Sequence, residues 1–321
     1  MDISVVIVNY NSWKVLDACI ESILNLKTSL NVETIIVDNQ SPADLLLQYQ
    51  KKYPSLKWVR NSGNNGFANG CNLGAEHAMG KFLFFLNPDT RVQPGVLEHF
   101  ISIYDKENIG ILSCLQTDNK GNFHKYNLLF PSPLRVFGLL RSLERQMYRK
   151  KLESFFAETS ARSYPQWISG SAVFISRINF EKISGWNEDY WMYYEDVDLC
   201  KKAHLQNLKC VLTKEVSIFH LHGGASRINP KTKAITKSEV VKSRHVYISN
   251  YFSNTSQAWL HPLLLTNILM QTGILALASF PLFFISKLKV NRYKWTELYH
   301  YYRHVYKNKT WLSERSMNLN Q

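Results

Sequence analysis

The sequence predicts an α/β fold built on a mostly parallel sheet with helices on both faces, and three observations predict it. Short runs of β-branched and aromatic residues recur over 3–8, 33–37 and 81–86. Each is apolar through its centre, as in a strand covered on both faces; a half-exposed strand alternates instead. Between the runs, apolar residues return at spacings of three and four, the helical period, so strands and helices alternate along the chain.

In chain order, 3–8 (ISVVIV) reads as a buried strand ending in Asn9-Tyr10-Asn11-Ser12; it lacks the basic lead and long apolar run of a signal peptide. Val15, Leu16, Cys19, Ile20, Ile23 and Leu24 then mark a helix. The run 33–37 is a second strand, ending in Asp38-Asn39-Gln40-Ser41-Pro42. A helix over 44–53 and a short strand over 57–60 follow. Asn64-Asn65-Gly66 opens a turn into a helix over 68–79, and the strand 81–86 is stopped by Asn87-Pro88-Asp89. Beyond Val96 the pattern loosens: 110–114 predicts a strand, 117–122 a turn, and 167–175 a strand with a Gly-Ser lead-in. Residues 124–165 are basic and aromatic, with Arg135, Arg141, Arg145, Arg149, Lys150 and Lys151 among apolar positions. They fit amphipathic helices or a loop near an acidic partner as well as a plain solvated face.

Composition bounds the function. With 321 residues, 45% hydrophobic and 20% charged, the chain can bury a sizeable core, and disorder throughout is excluded. Lys and Arg outnumber Asp and Glu by 38 to 25, which gives +13 and asks for an anionic partner: nucleic acid, a phosphate-bearing substrate or an acidic lipid surface. The five cysteines form no CxxC pair, which argues against a zinc ribbon or disulfide scaffold and for a reducing compartment. No GxGxxG follows the first strand and no GxxxxGK[ST] occurs, so dinucleotide-binding dehydrogenases and P-loop NTPases are disfavoured.

Ligands of parallel sheets bind beyond the carboxyl ends of the strands. Three successive strands end there in polar groups: Asn9 and Asn11, Asp38 and Asn39, Asn87 and Asp89. Turn chemistry accounts for any one of these clusters; all three together point to a shared site. A second cluster, Glu195-Asp196-Val197-Asp198, opens a helix behind Trp186, Trp191, Met192 and two tyrosines. The helix dipole explains one acid or two. The rest suggests an aromatic pocket with a carboxylate at its base, held as a general base must be. Further on, His220-Leu221-His222-Gly223-Gly224 reads as a loop approaching a ligand or metal, with Asp89 as carboxylate partner.

The order of these segments resembles a family. Residues 4–12 (SVVIVNYNS), 36–41 (IVDNQS), 61–74 (NSGNNGFANGCNLG), 84–90 (FFLNPDT), 168–172 (ISGSA), 185–200 (GWNEDYWMYYEDVDLC) and 220–226 (HLHGGAS) stand in succession. Together they are similar to the family 2 glycosyltransferases, in their bacterial rhamnosyltransferase-like branch, over roughly residues 3–250. The resemblance implies a GT-A fold with a Rossmann-like sheet, a nucleotide-diphosphate-sugar donor and a divalent cation, Mg or Mn. It implies that Asn9, Tyr10, Asn11, Asp38 and Asn39 line the nucleotide pocket, with Asp38 on the base ring, and that the turn carrying Gly66, Phe67 and Asn72 passes beside the nucleotide. Asn87 replaces the first acid of the family's DxD motif, which leaves Asp89 as the main carboxylate ligand. Asp196 takes the place of the catalytic base, with Glu195 as its neighbour, and His220 or His222 faces the metal or diphosphate. Such a set suits sugar transfer: a hard cation neutralises the leaving diphosphate, and one carboxylate activates the acceptor hydroxyl from the opposite face, so that in-line attack inverts the anomeric carbon. On this reading 1–90 is the nucleotide-sugar half, 91–255 the acceptor and catalytic half, and 256–321 a helical, basic region.

The last region predicts the setting. Residues 259–285 are apolar, but the best window, 268–285, is borderline for a membrane span and broken by Pro281. Lys287, Lys289, Arg292, Lys294, Arg303, Lys307 and Lys309 follow among aromatics. Three readings stand, in this order: peripheral attachment to the inner, cytoplasmic face of the cell membrane, helices of a homodimer, and a true membrane span. The first fits a glycan acceptor that is lipid-linked. A polyprenyl-phosphate sugar synthase is the competing enzyme, and the 185–200 block argues against it. A basic nucleic-acid-binding protein is the competitor from another class; no RRM, helix-turn-helix or zinc motif gathers the charge, so no nucleic-acid partner is expected.

Overall fold

In the computed structural model, strand β1 (Ile3–Asn9) lies between β2 (Val32–Asp38) and β4 (Phe82–Leu86), parallel to both, and β3 (Lys57–Arg60) extends the parallel run beyond β2. All residues are described except 43–44, 105–107, 124–128, 134–142, 144–145, 150–159, 222–228, 279–285 and 320–321. Past β4 the sheet is mixed. β8 (Ala172–Ser176) runs antiparallel to β4 and to β6 (Ile109–Thr117), and β9 (Lys209–His220) runs parallel to β6. The short strands β5 (Thr90–Arg91) and β7 (Arg162–Ser163) both pair antiparallel with β9. The sheet order among described residues is β3-β2-β1-β4-β8-β6-β9-β5. The parallel architecture expected from the sequence therefore holds from β3 to β4 and gives way where β8 is inserted.

Period two explains the uniformly apolar strands. In β1, Ile3, Val5 and Ile7 enter one core with Phe84, Phe100 and Phe174, while Val6 and Val8 enter a second with Val37, Phe85 and Val173. Both faces are covered, so no polar face is needed. Burying each such side chain contributes about 1.5–3 kcal/mol. Helix α1 (Trp13–Leu24) puts Trp13, Leu16, Cys19, Ile20 and Ile23 on the first core. The helix expected near 44–53 is α2 (Leu46–Lys52), and the one expected over 68–79 is α3 (Gly66–Glu76). α3 lies close on β1 because it has no side chains there. A Cβ on Gly74 would stand 2.3 Å from Val6 Cγ1, and one on Gly70 2.7 Å from Val8 Cγ1. Helices α4 (Val96–Tyr104), α5 (Arg177–Lys182) and α6 (Glu195–Leu205) complete the layers.

Three long helices follow: α7 (Pro230–Tyr251), α8 (Asn254–Ala278) and α9 (Ser286–Asn308). Asn229 caps α7, its side chain accepting from the Thr232 N–H at 2.9 Å, and Pro230 occupies the first turn. Two compact units emerge. One comprises Met1–Phe130, Phe155–Asn187 and Glu195–Ala225; the other comprises Pro131–Ser154, Glu188–Tyr194 and Ser226–Gln321.

The second unit is held by buried polar groups. Lys242 Nζ meets Glu239 Oε1 at 2.8 Å and Glu314 Oε1 at 2.7 Å, and Arg315 reaches Glu239 at 2.9 Å and Glu297 at 3.1 Å. Nδ1 of His245 lies 2.8 Å from Nδ1 of His261, with the Trp311 ring stacked on both. Burial holds His245 well below the usual histidine range and brings His261 down to about 4, so this pair is neutral at pH 7. Among the described residues, one helix (Asn254–Leu277) is long and apolar enough to cross a membrane by length and composition, and 33% of that window is buried.

Candidate active site

The carboxyl ends of β1 and β2 come together by register, Asn9 opposite Asp38. Asn9 Nδ2 donates to Asp38 Oδ1 at 3.0 Å, and its Oδ1 accepts from the Ser12 N–H at 3.1 Å. Ser41 closes the cluster. Its N–H and hydroxyl donate to the two oxygens of Asp38, while the hydroxyl oxygen accepts from the Asn11 N–H at 2.8 Å. Asp38 is thus buried and organises two loops, with one lone-pair position left on Oδ2 for a further donor. Asn39 joins the next loop, its Nδ2 donating to the Gly66 carbonyl at 2.8 Å and its Oδ1 accepting from Asn61 at 2.9 Å. Gly66 takes φ of 92°, a conformation that suits glycine. Asn11 and Gln40 also have positive φ, 53° and 55°, so both loops turn sharply as they leave their strands. Tyr10 is exposed on this rim.

Two residues expected beside the nucleotide, Phe67 and Asn72, are half-buried and contact Trp186. Asn72 exchanges two bonds with the Trp186 backbone: Nδ2 donates to the carbonyl at 2.9 Å and Oδ1 accepts the N–H at 2.9 Å. Phe67 meets the Trp186 ring edge-on at 5.5 Å. Trp186, expected to line an aromatic pocket, is a core residue set against Phe85.

The second half of the site is a hydrogen-bonded run. Asp196 Oδ2 accepts from the Gly170 N–H at 3.0 Å, and its Oδ1 accepts from the Val197 N–H at 2.9 Å. One residue on, Ser171 Oγ donates to Gln116 Oε1 at 2.9 Å, and the Ser171 carbonyl accepts from the Asn87 N–H at 3.0 Å. Gln116 Oε1 also lies 2.8 Å from His220 Nδ1, and His220 Nε2 lies 3.3 Å from Asp89 Oδ1. β5–β9 pairing sets the last contact, because Thr90 stands opposite His220 and the Leu221 N–H donates to the Asp89 carbonyl at 2.9 Å.

This geometry assigns the histidine tautomer. Gln116 Oε1 can only accept, so Nδ1 carries a proton and Nε2 is the ring nitrogen that faces Asp89. The imidazole Nε2 and a carboxylate oxygen, both buried, face each other. Carboxylate plus imidazole, with the second ring nitrogen donating to an oxygen, is the donor set of a metal-binding histidine. The pair therefore fits a divalent cation as two of its ligands. No group of three or more His, Cys, Asp or Glu suited to a metal occurs among the described residues. His222 lies outside the described residues, as does most of the basic stretch 124–165.

Burial separates the two acids at the start of α6. Glu195 is buried, its Oε2 has no hydrogen-bond partner among the described residues, and burial with the neighbouring Asp196 and Asp198 charges pushes its carboxyl well above the usual range. Asp196 is only half-buried, and its upward shift, from burial, is opposed by the Gly170 and Val197 N–H groups. Of the two acids, Asp196 is the more exposed and the one whose charged form backbone N–H groups support from outside its own residue. Tyr193 and Tyr194, immediately before it, both take φ of 70°, a strained left-handed pair.

Sequence reasoning missed Ser41, Asn61 and Gln116, and gave Gly170 and Ser171 no role. The signal for Gln116 was present: β6 is another apolar strand ending in polar residues, Gln116-Thr117.

Comparison with known proteins places the chain in a family. The family model described as "Glycosyl transferase family 2" matches residues 4–166. The chain is 25% identical over 229 residues to the low-salt glycan biosynthesis hexosyltransferase Agl10 of Haloferax volcanii, covering 68% of this chain and 67% of that one. It is 24% identical over 268 residues to the N-acetylglucosaminyl-diphospho-decaprenol L-rhamnosyltransferase of Mycobacterium tuberculosis, covering 78% and 84%. The structure of S. aureus TarS 1-349 superposes with a TM-score of 0.53 at 16% identity, over 95% of this chain and 92% of that one, a likeness of fold.

Proposed function

Because the chain belongs to glycosyl transferase family 2, we propose that it transfers a sugar with inversion from a nucleotide-diphosphate donor to a hydroxyl of a lipid-linked glycan, in surface polysaccharide biosynthesis. The observation that carries this reading is the continuous run Asp196–Gly170–Ser171–Gln116–His220–Asp89, which joins a half-exposed carboxylate to a buried carboxylate–imidazole pair. Inverting transfer needs one group at each end of that run: a base for the acceptor hydroxyl and a site for the leaving diphosphate.

In this reading the loops of Asn9, Tyr10, Asn11, Asp38 and Asn39 hold the nucleoside, with Gly66 and Asn87 beside the diphosphate. Asp89 and His220 hold a divalent cation, Mg or Mn, whose charge offsets that of the departing diphosphate. Gln116 keeps His220 Nε2 facing Asp89, and Ser171 fixes Gln116. Gly170 and Val197 stabilise the anionic form of Asp196, which takes the proton of the acceptor hydroxyl. Rhamnose from dTDP-rhamnose is the donor to test first, supported by the name of the mycobacterial relative. That relative's diphospho-decaprenol substrate supports a lipid-linked acceptor and peripheral attachment at the cytoplasmic membrane face.

The test is thermal unfolding with UDP, dTDP, GDP and CMP, each with and without Mn. A nucleotide at a hundred times its Kd stabilises by about 2.7 kcal/mol. Cation-dependent stabilisation by one nucleotide, lost in Asp89→Ala, supports the reading; no shift with any nucleotide overturns it.

A further inference from the structure

Helices α8 and α9 border a cleft of about 790 Å³. One wall is an aromatic stripe of α9, formed by Trp295, Tyr299, Tyr302 and Tyr306 at successive spacings of four, three and four. Beside it, Arg303 and Lys307 bring positive charge, and no acidic residue lines the cleft among the described residues. The one acid of α9, Glu297, is bound to Arg315.

His304 adds a polar atom that lacks an acceptor. Asn308 Nδ2 lies 2.8 Å from its Nδ1 and donates to it, which leaves the ring proton on Nε2. That Nε2 is buried without a hydrogen-bond partner among the described residues. An oxygen entering the cleft would supply one.

The neighbouring face of the unit is apolar. α8 buries Leu260, Leu264 and Ile268, while Met270, Ile274 and Leu277 are between 65% and 71% exposed. Gly273 lies close to Trp295, where a Cβ would stand 3.1 Å from its ring, so the exposed apolar turns of α8 adjoin the aromatic stripe. Charge, rings and apolar surface follow one another, as in a segment seated at a bilayer interface.

We infer that this cleft is the headgroup site of an anionic membrane phospholipid. Its phosphate oxygens meet Arg303, Lys307 and the Nε2 hydrogen of His304, the aromatic stripe lies at the level of the glycerol, and the acyl chains run beside Met270, Ile274 and Leu277. The inference rests on the membrane-surface reading above and gives it a lipid class and a site.

Flotation of the full chain with vesicles tests it, using equimolar phosphatidylglycerol and phosphatidylcholine against phosphatidylcholine alone. Binding to the anionic vesicles should fall at least about tenfold in Arg303→Glu/Lys307→Glu, since each basic contact contributes about fivefold. Met270→Asp/Ile274→Asp should weaken it too. Lys231→Glu/Lys233→Glu makes the same charge change on exposed positions of α7 and should leave binding within about twofold. No flotation of the unmodified chain, no loss in the first variant, or an equal loss in the α7 variant overturns the inference. All variants are also melted with the nucleotide that stabilises the unmodified chain. A retained nucleotide response with unchanged flotation sinks the lipid site and leaves the transferase reading standing.

Discussion

The Gly170 N–H donates to Asp196 Oδ2 at 3.0 Å, and a methyl group on Gly170 would stand 3.2 Å from Asp196 Cβ. The bond and the tight approach act on the same side chain, so the base can be moved without being removed. Gly170→Ala should lower kcat about tenfold or more, because small displacements of catalytic groups are costly. The KM for donor should stay within about twofold. An unchanged kcat in steady-state assays would show that Asp196 position does not matter.

The adjacent acids should respond differently. Asp196→Asn should reduce turnover by about 10²–10⁴-fold while leaving nucleotide affinity intact, as loss of a general base does. Glu195→Gln should retain turnover and change stability. Burial holds the Glu195 carboxyl well above the usual value of 4.5, so the folded state holds a proton that the unfolded chain releases. Stability therefore falls as pH rises from about that value through the native pKa. Melts at pH 4 should be alike for the two proteins, and at pH 8 Glu195→Gln should be the more stable. A less stable variant at pH 8 contradicts the burial argument.

Gln116 acts through His220. Gln116→Leu removes the acceptor that holds Nδ1–H, which should weaken cation-dependent nucleotide binding about 10–100-fold. Titrating Mn against the nucleotide-induced melting shift reads this directly, and a midpoint equal to that of the unmodified chain refutes it.

Asn72 gives the opposite pattern. Asn72→Ala strands the Trp186 N–H and carbonyl and should cost about 2–3 kcal/mol of stability. Nucleotide affinity, measured below the melting transition, should change less than about threefold. A large affinity loss would return Asn72 to the nucleotide pocket.

Legibility in the sequence followed locality. β1, β2 and β4 were visible because their apolar runs are continuous, and Asp89 and Asp196 because acids cluster near them. β9 was not, since Lys209, Lys214 and Glu215 interrupt it and its register against β6 jumps from Thr213 to Ser217. That hid the strand which delivers His220. α7 escaped for another reason: Glu239, Lys242 and His245 face inward, satisfied by Glu314, Arg315 and His261, so no apolar stripe marks the helix. Gln116 and Ser171 meet across 55 positions, a distance that turn chemistry and periodicity do not span.

The insertion of β8 between β4 and β6 has a consequence for synthesis. β4 ends at Leu86 and its neighbour β8 begins at Ala172, so on a ribosome adding about 5–20 residues per second the edge of β4 waits on the order of ten seconds. Through that interval Phe84 and Phe85 belong to an open, sticky edge of the emerging chain. The aromatic centre of the sheet is completed late, and the nascent protein has to be kept from its neighbours until it is.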